Sequence, residues 1–510
     1  MRKQRPPMHY VSLLVEFLRG RPKLVFWTAA LAQAALWIIV PSLVYSAPPG
    51  DVPLLLAIGH EFELGSYQGP PLAFWLGEAA FRAGGVIGVY ILAQACVVTA
   101  YWAVFTLGRS IVGTRHAVLA VLLMVGIAVF TVSSATFGPA ILAAPLWAIA
   151  LLQYWRALGE RRRGAWFLLA ITLGLLLLTS YVGLIFIAAM ILFTVLSERG
   201  RYSLRDPEPW ISVLLLMVVV FPHAVWLAHR RSLVIDGLLD PATLAGRPQP
   251  GLWLASTLTI SHLGLLLLVF LASGWPGPAR KKQRAPEIDR AHPASGFARA
   301  FVYVFAVVPA LVAVGIASAS GRLGPLERVT PLLVLSGLAV TVLAGDRILL
   351  YRERLVSSAW LGLLLAPPLV TAVSVVIMPW ITGSELAVAQ PAGAEGVFFA
   401  DTFQRRTGKP LAYVAGDPRL APLIALAAPS RPHVYFDWAP QRSPWASAAD
   451  VKREGGVLVW AAPGNARNPP ADLQAQFPDL VAEVPHTFER PVRGLLPPVR
   501  LGWAVIRPQP

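Results

Sequence analysis

Ten apolar stretches dominate the first 381 residues, near 23–46, 86–107, 117–135, 139–155, 165–197, 209–228, 251–273, 301–319, 331–346 and 357–381. Most approach the roughly 20 residues that cross a bilayer as a helix. A chain that repeats such runs satisfies its backbone and its apolar side chains together only with the runs placed in lipid. The composition agrees, with 56% hydrophobic and 14% charged residues in 510. One run is longer than a single crossing: Trp166 to Ser197 carries no charge and would extend roughly 48 Å as one helix at about 1.5 Å per residue.

The basic residues decide how that run folds. If it is a hairpin breaking near Thr179–Gly183, then Arg199, Arg201, the 280–284 cluster, Arg347, Arg352 and Arg354 share a side with the basic N-terminus and Arg161–Arg163. That side is cytoplasmic by the positive-inside rule. A single helix would put the 280–284 cluster outside, so the reading is a hairpin and about eleven transmembrane helices. The first segment reads as a retained signal anchor, because no short apolar core with a small-residue cleavage site precedes it. The loops at 47–85 and 229–250 and everything after Trp380 are then extracytoplasmic. The net charge of +16 lies in short loops, where orienting the chain accounts for it, and nucleic acid is not an expected partner. The single cysteine, Cys96, excludes a disulfide framework.

The chain divides at about residue 381. Residues 1–381 form the transmembrane domain, and 382–510 read as a small extracytoplasmic α/β domain. In the second part short β-rich pieces at 411–416, 433–438, 456–462 and 501–506 alternate with helical pieces such as 418–428 and 446–456. It has no phosphate-binding glycine loop and no metal-ligand cluster, and reads as a cap or docking domain over the membrane part.

The first outer loop is the informative segment. Pro53 to Phe62 carries Leu54, Leu55, Leu56, Ile58 and Phe62, which suits a short interfacial helix. After the turn Gly65-Ser66-Tyr67-Gln68-Gly69-Pro70-Pro71, residues Leu72, Trp75, Leu76, Ala79 and Ala80 repeat at helical spacing, with Glu78 and Arg82 four apart. The loop therefore reads as two short helices around a Pro-rich turn, with Asp51 just past the first membrane helix.

Asp51, Tyr67, Pro70, Pro71, Leu72, Trp75 and Leu76 together resemble the first outer loop of the GT-C membrane glycosyltransferases related to protein O-mannosyltransferases and to the aminoarabinose transferase of lipid A, a glycosyltransferase family 39-like superfamily. Leu176–Tyr181 and Pro222–His229 agree with that architecture. The resemblance implies transfer of a sugar from a polyprenyl-phosphate donor to a lipid, glycolipid or protein acceptor of the envelope. Lipid A or lipopolysaccharide is the acceptor it suggests, at the outer side of a bacterial inner membrane, with membrane lipids as surroundings. Asp51 is the expected base, with inversion at the anomeric carbon. His60, Glu61 and Glu63 are candidate polar supports, and Tyr67, Pro70, Pro71 and Trp75 candidate positioning residues. Arg82, His223, His229, Arg230 and Arg231 are candidates for receiving the departing phosphate. No cofactor is called for, although an acid at Asp51 leaves a divalent metal open.

Three positions depart from the pattern: Val52 stands where an acid usually follows Asp51, Gly69 where a Lys or His precedes the proline pair, and Thr136 where a second Asp is often found. The competing reading is therefore a catalytically degenerate envelope scaffold of the same fold. A flippase or transporter fits less well, because the apolar segments carry almost no charge at their centres.

Overall fold

In a computed structural model, residues 20–230, 249–273, 287–289, 293–321, 329–349, 352–383, 386–439, 442–462, 469–492 and 494–509 are described. The first nineteen residues, Arg231 with the rest of 231–248, and the 280–284 cluster lie outside them. The helices of the first part are α1 (Pro22–Val44), α2 (Val52–His60), α3 (Leu72–Val112), α4 (Thr114–Met124), α5 (Pro139–Leu158), α6 (Gly164–Leu177), α7 (Gly183–Leu196) and α8 (Glu208–His229). They are followed by α9 (Pro250–Ser261), α10 (Leu263–Ser273), α11 (Gly296–Ser320), α12 (Ser336–Leu343) and α13 (Glu353–Ile381). Among the described residues six helices, α1, α3, α5, α8, α11 and α13, are long and apolar enough to cross a membrane. The pair α9–α10, bent by 46°, makes a seventh if counted as one span. This is a multi-pass membrane chain.

The long charge-free run is indeed two helices, α6 and α7, separated at 178–182. Thr179 and Ser180 are fully buried at that break; the Thr179 hydroxyl donates to Leu175 O at 2.8 Å and the Ser180 N–H to Leu176 O at 2.8 Å. The stretch expected as one segment over 117–135 is broken instead. After α4 the chain turns and continues through Ala128–Thr131 and the 3-10 turn Val132–Ala135. Carbonyls freed by such a break must be satisfied from within the protein, and two glutamines from neighbouring helices do so. Gln33 Nε2 of α1 donates to Phe130 O at 2.6 Å, and Gln94 Nε2 of α3 to Ser134 O at 3.0 Å. Gln33 Oε1 in turn accepts from Tyr101 at 3.1 Å, so the break is tied to two membrane helices at once. The bend between α9 and α10 faces it, the Leu265 N–H donating to Gly126 O at 3.0 Å.

The C-terminal part forms a five-stranded sheet, β3 (Tyr413–Gly416), β4 (His433–Phe436), β5 (Gly456–Ala461), β6 (His486–Phe488) and β7 (Val499–Ile506), in the order β4-β3-β5-β7-β6. β4, β3 and β5 are parallel, and β7 and β6 extend the sheet antiparallel. A small antiparallel ribbon of β1 (Glu287–Asp289) and β2 (Arg347–Leu349) lies in the first part. The parallel strands read as continuous apolar runs because both faces are covered, by α14 (Ala392–Thr407), α15 (Ala421–Ala427), α16 (Ala448–Glu454) and α17 (Ala471–Gln476). A capping box starts α16, Ser447 and Asp450 each bonding the other's backbone N–H.

This sheet does not stand apart from the membrane part. Val52, Leu55, Leu56 and Ile58 of α2 share one buried core with Phe74, Phe137, Leu142 and with Phe399, Ile424 and Val434 of the C-terminal part. Ser46 and Ala47 donate backbone bonds to Val388 O, and Leu495 N donates to Pro379 O at 2.8 Å at the end of α13.

Candidate functional site

The loop at 47–85 folds as the sequence suggests, into α2 and the first three turns of α3 around a tight turn. α3 kinks at Gly84 and Gly85, where the backbone leaves the helical region, so its N-terminal part belongs to the loop and the rest to the membrane helix. The two loop helices cross where side chains are missing. A Cβ on Gly59 would meet Phe74 O at 2.3 Å, and one on Gly77 would meet Leu55 Cδ2 at 2.4 Å. The turn closes through reciprocal backbone bonds between Ser66 and Gly69, both 3.0 Å, with Tyr67 at its tip. Pro70 and Pro71 are buried and lead into α3, and Trp75 Nε1 donates to Glu63 O at 3.0 Å, bracing the turn against the helix.

Asp51 immediately precedes α2 and is exposed. Its backbone carbonyl accepts from Leu55 N at 2.8 Å, and among the described residues its carboxylate enters no hydrogen bond or ion pair. Gly50 holds the chain in the left-handed region there (φ +56°) against Thr136, whose Cγ2 a Cβ would meet at 3.1 Å. Thr136, the residue at the position of the missing second acid, is thus beside Asp51. Tyr67 is the other neighbour: its hydroxyl is buried, and desolvation pushes its pKa up to about 12 against the opposing pull of Gln68 and Arg442. The Arg442 guanidinium sits 5.9 Å from the centre of the Tyr67 ring, and Phe436 meets the same ring edge-on at 6.3 Å. Arg442 is paired with Asp437, which adopts φ +46° at the end of β4.

The other candidates fall into different places. Asp51 and His60 stand at opposite ends of α2, roughly 13 Å apart along its axis, so His60 and Glu61 do not support the Asp51 carboxylate. They form a second cluster. Glu78, with 1% of its side chain exposed, accepts from Arg82 Nε at 2.9 Å and His60 Nδ1 at 3.2 Å on Oε1, and from Arg431 Nη2 at 2.7 Å on Oε2. Glu61 pairs with His433 Nδ1 at 2.9 Å. Arg431 and His433 belong to the C-terminal part. The Glu61 carboxylate raises the His433 pKa above its ordinary value, burial opposing it. Arg82 also lies over the Phe62 ring at 4.9 Å. Glu63 contributes its backbone carbonyl to Trp75.

His223 is buried in α8 with both ring nitrogens engaged: Nδ1 donates to Leu64 O at 2.7 Å, leaving Nε2 to accept from the Tyr181 hydroxyl at 3.1 Å. It fastens α8 and the α6–α7 break to the loop. The Leu72 N–H reaches the same break, donating to Leu178 O at 2.9 Å. His229 and Arg230 are exposed at the end of α8, His229 bonded to Val225 O in its own helix, and Arg231 lies outside the described residues. No group of three or more His, Cys, Asp or Glu among the described residues could hold a metal ion.

Arg431, His433 and Arg442 carry no mark in the sequence that would single them out, and Glu78 none as a site residue. Glu78 was visible only as the helical partner of Arg82; the three basic residues lie more than 340 positions beyond the loop and carry no signal in their own segment.

Residues 68–226 match the family described as dolichyl-phosphate-mannose-protein mannosyltransferase. No curated protein matches the chain. Among solved structures, ArnT from Cupriavidus metallidurans bound to undecaprenyl phosphate is 13% identical, with 96% of this chain and 99% of that one covered and a TM-score of 0.47. The archaeal oligosaccharyltransferase AglB from Archaeoglobus fulgidus, in complex with an inhibitory peptide and a dolichol-phosphate, is 14% identical over 81% of this chain and 65% of that one, with a TM-score of 0.44. The region matched, from the turn after α2 to the end of α8, holds the Pro70-Pro71 motif and His223. The chain resembles, over that region, the GT-C membrane glycosyltransferases related to the protein O-mannosyltransferases.

Proposed function

We propose that the protein is an integral-membrane glycosyltransferase that moves a sugar from a polyprenyl-phosphate donor to an envelope acceptor, a lipid, glycolipid or protein, at the outer face of a bacterial inner membrane. About eleven crossings would place the loop at 47–85 and residues 382–510 on that face. The observation that carries the reading is Asp51: an exposed carboxylate with no ion pair among the described residues, at the head of a loop whose motif residues Pro70, Pro71 and Trp75 are used to brace the fold. The match over residues 68–226 to a family named for a polyprenyl-phosphate sugar donor supports the donor class.

The chemistry follows from a single displacement. The acceptor hydroxyl oxygen attacks the anomeric carbon, its proton passes to the Asp51 carboxylate, and the bond from that carbon to the phosphate oxygen breaks, with inversion. The leaving polyprenyl phosphate carries the charge away and needs donors to receive it. Arg442 beside Tyr67, and His229 and Arg230 at the end of α8, are the basic groups proposed for that task. Hexosyl and pentosyl donors are both compatible with this arrangement, and lipopolysaccharide is one acceptor to test.

The test is mass spectrometry of envelope glycolipids and glycoproteins from cells lacking the protein, complemented with wild type or Asp51→Asn at equal membrane levels. The reading predicts a sugar mass restored by wild type alone. Restoration by both would remove Asp51 from the chemistry. No glycan difference in any strain would favour the scaffold reading, in which the same loop serves only to dock the C-terminal part.

A further inference from the structure

The second cluster lies away from Asp51 yet joins the same loop to the C-terminal sheet, and its construction is unusual for a surface contact. A buried carboxylate is costly unless its lone pairs are filled by charged donors. Glu78 is filled from two sides: its Oε1 by His60 and Arg82 of the loop, its Oε2 by Arg431 from the turn before β4. Arg431 also lies over the Phe81 ring at 4.5 Å, so its guanidinium is held on both its plane and its edge. Both segments that meet here contain a non-glycine residue in the left-handed region, Phe62 at φ +53° and Arg431 at φ +49°. Such residues persist only where the surroundings over-determine them. Glu61 and His433 form a second bridge one turn along, and the His60 and His433 rings lie 5.7 Å apart.

We infer that Arg431 and His433 are positioning residues for the transfer reaction, acting through Glu78 and Glu61 to fix the end of α2 and so the orientation of Asp51 at its start. The inference rests on the proposed transferase reading for its kinetic consequence, but its structural part stands on its own. α2 is a short rigid rod buried on nearly every face; anchoring His60 and Glu61 at one end sets the direction of the other. The C-terminal part is then a component of the catalytic loop's support, joined to it through a buried charge.

The experiment uses the full chain in lipid nanodiscs, with Arg431→Met, Arg431→Lys, and the double variant Glu78→Gln/Arg431→Met, which removes the buried charge together with its partner. Two readouts are taken: deuterium exchange by segment, and donor turnover resolved into kcat and KM. In Arg431→Met, exchange should rise in residues 51–71 and 428–439 while α5 stays protected. kcat should fall by about 10²-fold, the scale set by a reacting group displaced by about 1 Å, with the donor KM nearly unchanged. Arg431→Lys, which keeps the charge, should recover part of kcat. The double variant should restore thermal stability but not kcat.

Exchange unchanged in 51–71 would overturn the inference, as would exchange rising equally in α5, the mark of general unfolding, or recovery of kcat by the double variant. If wild type turns over no polyprenyl-phosphate sugar, the transferase reading fails, while the exchange arm still decides whether Arg431 holds the loop.

Discussion

At the scale of single residues, two carboxylates on one loop have opposite circumstances. Asp51 is exposed and unpaired among the described residues, whereas Glu78 is buried and filled with charged donors. Replacement of Asp51 by Asn should therefore leave stability within about 0.5 kcal/mol and lower transfer by on the order of 10²–10⁴-fold, read as turnover by protein of matched thermal midpoint. His433 gives a pH dependence. Its pKa is raised in the folded protein, chiefly by the hydrogen bond to Glu61, so the docking contribution is complete below the ordinary histidine value of 6.5 and is lost as pH rises through the raised value. The groups that face it are Glu61 and His60 from the loop, Tyr413 from β3 and, at longer range, Glu454. With 45% of the His433 side chain exposed, the effect should stay below about 1 kcal/mol. Protection of residues 51–71, taken relative to the intrinsic base-catalysed exchange rate, should fall across that pH interval in wild type and stay constant in His433→Gln.

At the scale of elements, the loop's precision comes from two close crossings. A methyl on Gly59 would collide with the Phe74 carbonyl, a backbone atom that cannot rotate away, so Gly59→Ala should cost about 1–3 kcal/mol and open α2 from α3. A lowered thermal midpoint with raised exchange in 52–60 checks it. These elements were the legible part of the sequence: the Pro-Pro pair, the glycine-rich turn and the helical spacing of Leu72, Trp75 and Leu76 locate both loop helices, and the centre of the charge-free run locates the α6–α7 break. What apolar periodicity could not show is where a membrane helix stops being helical. The breaks at 125–135 and at His262 fall inside unbroken apolar runs, because a break in lipid is stabilised by polar partners on other helices. Gln33 and Gln94, isolated amides in otherwise apolar segments, were the available sign of it.

At the scale of the whole molecule, the C-terminal sheet and the membrane part share a core, so the loop between them is a joint. Four of its five strands were readable from β-rich pieces, β6 being missed, and a docking role was expected, but the residues through which it docks were not: Arg431 and His433 reach residues 353 and 372 positions earlier, and no local pattern encodes a partner at that separation. Removing the C-terminal part should therefore expose Val52, Leu55 and Ile58 and cause the membrane part to aggregate, visible as loss of the monodisperse species in detergent. The central claim concerns chemistry at Asp51, and purified protein tests it most directly. Wild type and Asp51→Asn in nanodiscs are supplied with sugar-loaded polyprenyl phosphate and an acceptor glycolipid extract, and release of free polyprenyl phosphate is followed by mass spectrometry. The account predicts acceptor-dependent release by wild type and almost none by Asp51→Asn of equal stability; equal release by both proteins would contradict it.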